Sequence, residues 1–250
     1  MGERLEYIWK LSGYKFDNIE KRIAIIPIGS VERHGDHLPL GTDAVEAQFI
    51  SEEVAKKVNG HLFPTVWYGS SIYLSKFPGT INIESNAFKL YVYSLLKEIA
   101  RNGYKLIVII NGHGGNTNLL NIAAKEAAYE MNVTYVIIDW WKDVGIETRQ
   151  KLFVQPGHAG DDETSAMLYL EEEDVDIDKA KDYVPTWLPK VSIQSPIIEN
   201  YLYPHAVLGG PTKANKEKGK QWLDSVINDI VKIVNEINKI LLDKDNNNKR

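Results

Sequence analysis

The chain predicts an α/β fold in three layers, an α/β/α sandwich with a mostly parallel central sheet, built as one domain over residues 1–250. Three observations predict it. Apolar, β-branched runs of strand length recur at Ile23–Ile28 (IAIIPI), Lys105–Ile110 (KLIVII) and Val133–Ile138 (VTYVII). They lack the alternation of a half-exposed strand, as strands covered on both faces do. Segments of helical spacing lie between them, at roughly 44–58, 86–102 and 117–131, so strand and helix alternate as in parallel sheets. The composition, 44% hydrophobic and 25% charged over 250 residues, is that of a chain able to fill one core.

From the N-terminus, MGERLEYIWK lacks the apolar run of a secretory signal. No later stretch approaches the ~18 uncharged apolar residues of a membrane span. A cytoplasmic protein without a membrane partner is expected. The first strand ends at Gly29 and leads through GSVERHGDHLPLGTD, residues 29–43, into the first helix. The second runs into NGHGGN, residues 111–116, and a helix begins near Thr117. The third stops at Asp139, before Trp140 and Trp141. GHAGDDETS, residues 157–165, opens a helical run through Met167, Leu168 and Leu170. The segment from about 172 to 212, with Pro185, Pro189, Pro196 and Pro204 among scattered aromatics, suits an active-site cover or an interface. Trp222, Val226, Ile230, Val234, Ile237 and Leu241 form the apolar stripe of a docking helix over Gly219–Asp243. Residues 242–250 have nothing to bury and are expected to form a disordered tail.

Charge narrows the function. A formal net charge of −5 without a sustained basic stripe offers nothing to a duplex backbone, so no nucleic-acid partner is expected. The absence of cysteine excludes disulfides, thiolate nucleophiles and zinc sites built on sulfur. Any metal must be held by imidazole and carboxylate.

Ligands of open α/β sheets gather at the carboxyl ends of the strands, where the loops at 29–43 and 111–116 begin. Glu32 and His34 stand two apart, so an extended backbone aims them to one side and Arg33 to the other. In that register His37 falls on the opposite face and is left out of the site. Asp43, just before the first helix, can reach back to the same point, and a short carboxylate can bridge two ions. Singly, Asp43 reads as a helix N-cap and Glu32 as a solvated loop charge. NGHGGN places His113 at the same edge. Such a turn can also cradle phosphate on its N–H groups. This one is not GxGxxG, lacks a following Lys-Ser/Thr pair and carries a histidine where a phosphate loop wants no side chain. In the third loop Asp161, Asp162 and Glu163 complement the dipole of the helix they open. His158 there is suited to shuttle protons, and Glu163 is available as a ligand. Together these residues are the inventory of a divalent site that accepts zinc, manganese or iron. Two ions sharing Asp43 would lower the pKa of a water between them and polarise a carbonyl, which makes hydrolysis the expected reaction.

Four blocks, GSVERHGDHLPLGTD, FPGT at 77–80, NGHGGN and GHAGDDETS, resemble the creatininase family in order and spacing. The resemblance extends from about residue 22 to about residue 219, ending in GGPTKANKEKG. It implies two divalent ions per chain, hydrolysis of a C–N bond in a small cyclic amide or formamide, and a homo-oligomer, often a hexamer. By motif, Glu32, Asp43 and His113 resemble the ligands of one ion, and His34 with Asp43 those of the other, Asp43 being the bridge. His158 resembles the histidine that assists proton transfer. Trp140 and Trp141 lie where aromatic residues approach the substrate, unless they pack in the core or an interface. Relatives that hydrolyse creatinine carry an aromatic residue and a glutamate after NGH, where this chain has Gly114 and Gly115. Glu163 is the natural replacement ligand, with an acid/base role as the alternative, and the expected substrate shifts away from creatinine. Double-glycine relatives include deformylases of formamidopyrimidine intermediates and a peptide-processing enzyme. Two other readings therefore stand: a metal-dependent peptidase, and a phosphate- or nucleotide-binding module in which the carboxylates are caps.

Overall fold

The computed structural model describes residues 5–247. Its sheet has five strands, β1 (Glu6–Tyr7), β2 (Ile23–Ile28), β3 (His61–Leu62), β4 (Leu106–Asn111) and β5 (Thr134–Asp139), in the order β1-β3-β2-β4-β5. All neighbouring pairs are parallel. The three long strands fall where the apolar runs lie, with Ile23 opposite Leu106 and Leu106 opposite Thr134. The helices are α1 (Gly13–Asn18), α2 (Thr42–Val58), α3 (Ser85–Arg101), α4 (Thr117–Met131), α5 (Trp140–Asp143), α6 (Ile146–Leu152), α7 (Asp161–Leu170), α8 (Pro196–Leu202) and α9 (Lys216–Asn247).

Strand alternation sorts the core into two halves. Ile23, Ile25, Leu106, Val108 and Ile110 pack with residues of α2 and α9 on one face. Ala24, Ile26, Ile28, Ile107 and Ile109 pack with α3 and α4 on the other. The result is the three-layer sandwich. The stripe on α9 buries Trp222, Val226, Ile230 and Val234 completely. α9 continues through Asn247, into the stretch expected to form a tail. Once a helix is nucleated, each further residue gains a backbone hydrogen bond without needing a buried face. Residues 248–250 lie outside the described residues. No helix among the described residues is long and apolar enough to cross a membrane.

The chain leaves β2 through α2 toward β3, and leaves β4 through α4 toward β5, so the connections of these two adjacent strands diverge. Such a switch point opens a crevice at the carboxyl ends of the strands. Two glycines let α2 close in on it. A Cβ on Gly29 would lie 2.4 Å from the Ala44 backbone, and one on Gly112 would lie 2.1 Å from the Asp43 carbonyl oxygen. Hydrogen in both places is what allows the first turn of α2, and Asp43 with it, to rest on the sheet edge.

Candidate metal centre

Six side chains from three loops meet in that crevice. Three groups of their ligand atoms, Glu32/Asp43/His113, His34/Asp43/Glu163 and Glu32/His34/His158, each lie within 4.8 Å of one another. Asp43 joins the first two through different oxygens. Its Oδ2 stands 3.0 Å from His113 Nδ1 and its Oδ1 stands 3.0 Å from His34 Nε2. Glu32 Oε1 is 3.3 Å from His113 Nδ1 and 3.8 Å from His158 Nδ1, while Glu163 Oε2 is 3.7 Å from His34 Nε2. Asp43 is not the N-cap of α2. That position is Gly41, with no side-chain cap, and Asp43 lies inside the first turn, where it accepts a hydrogen bond from Ser30 Oγ at 2.7 Å.

Each histidine is aimed by a main-chain carbonyl. His34 Nδ1 donates to the Glu32 carbonyl at 3.1 Å, His113 Nε2 to the Ser70 carbonyl at 3.0 Å, and His158 Nε2 to the Arg33 carbonyl at 3.0 Å. That leaves the lone pair of the other nitrogen facing carboxylate oxygen in all three, the arrangement by which an outer hydrogen bond fixes the tautomer of a metal-binding imidazole. A lone pair against a carboxylate is repulsive unless a cation sits between them. The ionisation behaviour says the same. Burial alone would lower His34, but the Asp43 carboxylate outweighs it and pushes the imidazole up to about 10. His113 is likewise raised, against burial, by Glu32 and Asp43. Burial pushes Glu163 up to about 8, opposed by His34 and assisted by Asp162 and Asp43. Glu32 Oε2 and His34 Nε2 are buried without a hydrogen-bond partner. The donor set, nitrogen and carboxylate oxygen around an excess of acid, fits divalent cations of the zinc, manganese and iron type.

Helix α7 organises the third loop. Asp161 accepts from the Val154 and Gln155 N–H groups, Asp162 from Gly157 N–H, and Glu163 from Ala159 N–H at 2.6 Å. Asp162 also holds Arg149, with an N–O distance of 2.6 Å. The first two acids therefore shape the turn that carries His158, and the third reaches the cluster. His37 is buried beside the cluster but outside its ligand groups, with Nε2 2.9 Å from Thr164 Oγ1.

A cavity of about 400 Å³ opens over the carboxylates, walled by Trp141, Tyr73, Leu74, Tyr203 and Leu208 and floored by Gly112, Gly114 and Gly115. The expectation for the tryptophan pair is half corrected. Trp141 lines the cavity, but Trp140 is 1% exposed and packs on Trp222 with ring centroids 4.7 Å apart. In a helical turn successive side chains diverge by about 100°, so two adjacent residues of α5 cannot both face the substrate. Gly115 has its own reason: a Cβ there would lie 2.0 Å from the Ser70 carbonyl oxygen and 2.5 Å from His113 Nε2. A glutamate at 115 has no room, and Glu163 approaches from the other side. Sequence reasoning missed Ser30, although it sits inside the 29–43 block, and missed Tyr203, which no spacing marks within the cover segment.

A switch-point crevice holding acids and imidazoles beneath a small cavity defines a metal-site α/β hydrolase. The chain belongs to the creatininase family: the family model described as creatinine amidohydrolase matches residues 10–234. It is 25% identical to a creatinine amidohydrolase of Pseudomonas putida, over 86% of this chain and 89% of the relative. It is 31% identical to a mycofactocin precursor peptide peptidase of Mycobacterium ulcerans, over 83% and 82%. It is 29% identical to a 2-amino-5-formylamino-6-ribosylaminopyrimidin-4(3H)-one 5'-monophosphate deformylase of Methanocaldococcus infernus, over 94% and 99%. A solved creatininase with manganese shares the fold, with a TM-score of 0.82 at 23% identity, covering 93% of this chain and 98% of that one.

Proposed function

We propose that the protein is a metal-dependent amidohydrolase that cleaves the C–N bond of a small cyclic amide or formamide, with two divalent ions at the Glu32/Asp43/His113 and His34/Asp43/Glu163 groups. The observation that carries this reading is Asp43, whose two oxygens face two different imidazoles, each pinned to present its lone pair. Ions bound there would polarise the carbonyl and lower the pKa of the attacking water. The chain's own residues supply the rest. The cavity volume suits a small molecule. Trp141 offers a flat apolar wall, and Tyr203 and Leu208 add to the lining. Burial, and then the charge of His34, push His158 down to about 4, so it is neutral near pH 7. Its Nδ1 would take one proton from the attacking water and return it to the leaving nitrogen as the C–N bond breaks and the new C–O bond completes the carboxylic acid, which then loses its remaining proton to solvent.

Elemental analysis of gently purified protein tests the centre. About two ions per chain are expected in wild type, none in Asp43→Ala and about one in Glu163→Ala. Folded, metal-free wild type that resists reconstitution would move the reading to a phosphate-binding module. A panel of formamides, cyclic amides and short peptides tests the substrate class, and preferential peptide cleavage would make the protein a peptidase. We further propose a homo-oligomer, the hexamer of the family resemblance included. Leu90 and Tyr91 on α3, and Trp187 and Ile197 over the cover, are each more than half exposed, an apolar surface that association would cover. Light scattering should return a multiple of the chain mass, and a monomer at micromolar concentration would refute it.

A further inference from the structure

Tyr73 and the tyrosines of the cover commit their hydroxyls to holding the cover in place, with one exception. Tyr183 donates to the Tyr201 carbonyl at 2.6 Å, Tyr73 donates to Gln194 Oε1 at 2.6 Å, and the Tyr201 hydroxyl lies 3.1 Å from Thr186 Oγ1. Tyr203 lines the catalytic cavity, with its ring 5.7 Å from that of His158 and nearly perpendicular to it. Among the described residues its hydroxyl takes part in no hydrogen bond, so it is free to meet a bound molecule.

The segment that presents Tyr203 is fixed to both ligand loops. Its carbonyl accepts from Ala206 N–H, Gly35 N–H donates to the Ala206 carbonyl at 2.8 Å, and Leu208 N–H donates to the His158 carbonyl at 2.8 Å. The ring is therefore held against the loop that carries Glu32 and His34 and the loop that carries His158. A phenol keeps its proton at neutral pH, so toward an anionic partner this hydroxyl can only be a donor.

We propose that Tyr203 is a catalytic residue supplied by the cover, whose phenolic O–H donates a hydrogen bond to the carbonyl oxygen of the bound amide as that oxygen gains negative charge. The proton stays on the phenol. The leaving nitrogen needs a transferred proton, which a neutral imidazole can carry and this phenol does not release. The inference rests on the amidohydrolase reading and is tested apart from it. Tyr203→Phe and wild type are loaded with manganese, their metal content is measured, and each is titrated calorimetrically with acetohydroxamate, a probe with an amide-like carbonyl. The best amide of the panel is then assayed. Wild-type metal content, weakening of hydroxamate by about tenfold, and a fall in kcat on the order of 100-fold with KM nearly unchanged are expected. Unchanged hydroxamate affinity overturns the proposal, as does loss of metal with the phenol, which would make Tyr203 a support of the centre. If wild type hydrolyses no amide, the amidohydrolase reading fails, and the hydroxamate titration still decides whether the phenol donates to a carbonyl.

Discussion

Four histidines lie in or beside the acidic cluster, and their surroundings divide them. His34 and His113 are pushed up by facing carboxylates, whereas His158 and His37 are pushed down. For His37, burial and then the charge of His34 bring the imidazole to about 4, from 6.5 in an unstructured chain. Below pH 6.5 the unfolded chain takes up a proton that the folded protein refuses until about pH 4. The neutral histidine thus costs nothing above pH 6.5, and stability is lost as pH falls through that window, by about 1–2 kcal/mol at pH 5. Urea unfolding of chelator-treated protein at pH 7.5 and pH 5 should show a smaller loss for His37→Asn than for wild type. Equal losses would assign the acid sensitivity to another group.

At the scale of elements, the loop after β4 has no room for a glutamate at 115, while the first turn of α7 brings Glu163 to the cluster. A side chain at 114 has room, the nearest atom to its Cβ being Trp141 Cζ2 at 3.8 Å, but one at 115 meets the Ser70 carbonyl oxygen. Gly115→Glu, the change that would imitate the creatinine-hydrolysing pattern, should therefore displace His113, lower metal content below that of wild type and reduce Tm; a stable two-ion variant would show that the loop can reopen. The elements themselves were unequally legible. β2 and β4 could be read within a residue or so because burial on both faces demands unbroken apolar runs, and β5 was equally legible from its β-branched run although its first four residues are only partly buried, not covered on both faces as expected. β1 and β3 have two residues each, too few for any period to register, and their pairing is a matter of register with β2. The loop residues that form the cluster were legible as types at strand ends. Which tryptophan faces the cavity was not, since that depends on α5 winding into a helical turn directly after β5.

Over the whole molecule, the centre ties together stretches far apart in the chain: residues 29–43, 111–116 and 157–163. The acids among them are held at close range by a sheet edge whose strands are buried on both faces, so the fold opposes their mutual repulsion without relieving it. Glu46, on the next turn of α2 from Asp43, is also fully buried, and burial together with the charge of Glu163 keeps it above its ordinary range. Without ions, positive charge must come from protons on His34 and His113. For His34 the folded pKa of about 10 lies above the unfolded value, so this support is present at neutral pH and is lost as pH rises through about 10. Ions bound at the two proposed sites would replace those protons and, binding only the folded chain, would add about 4 kcal/mol per site at a free concentration a thousandfold above Kd. At about 2–4 °C per kcal/mol for a chain of this size, chelation of both sites should lower Tm by on the order of 20 °C. The same treatment should leave Asp43→Ala almost unmoved, because that variant has no shared oxygen through which the two groups can hold ions. Equal melting of wild type before and after chelation would mean that the cluster is held together by its protons alone, and would remove the ions from the account of both stability and catalysis.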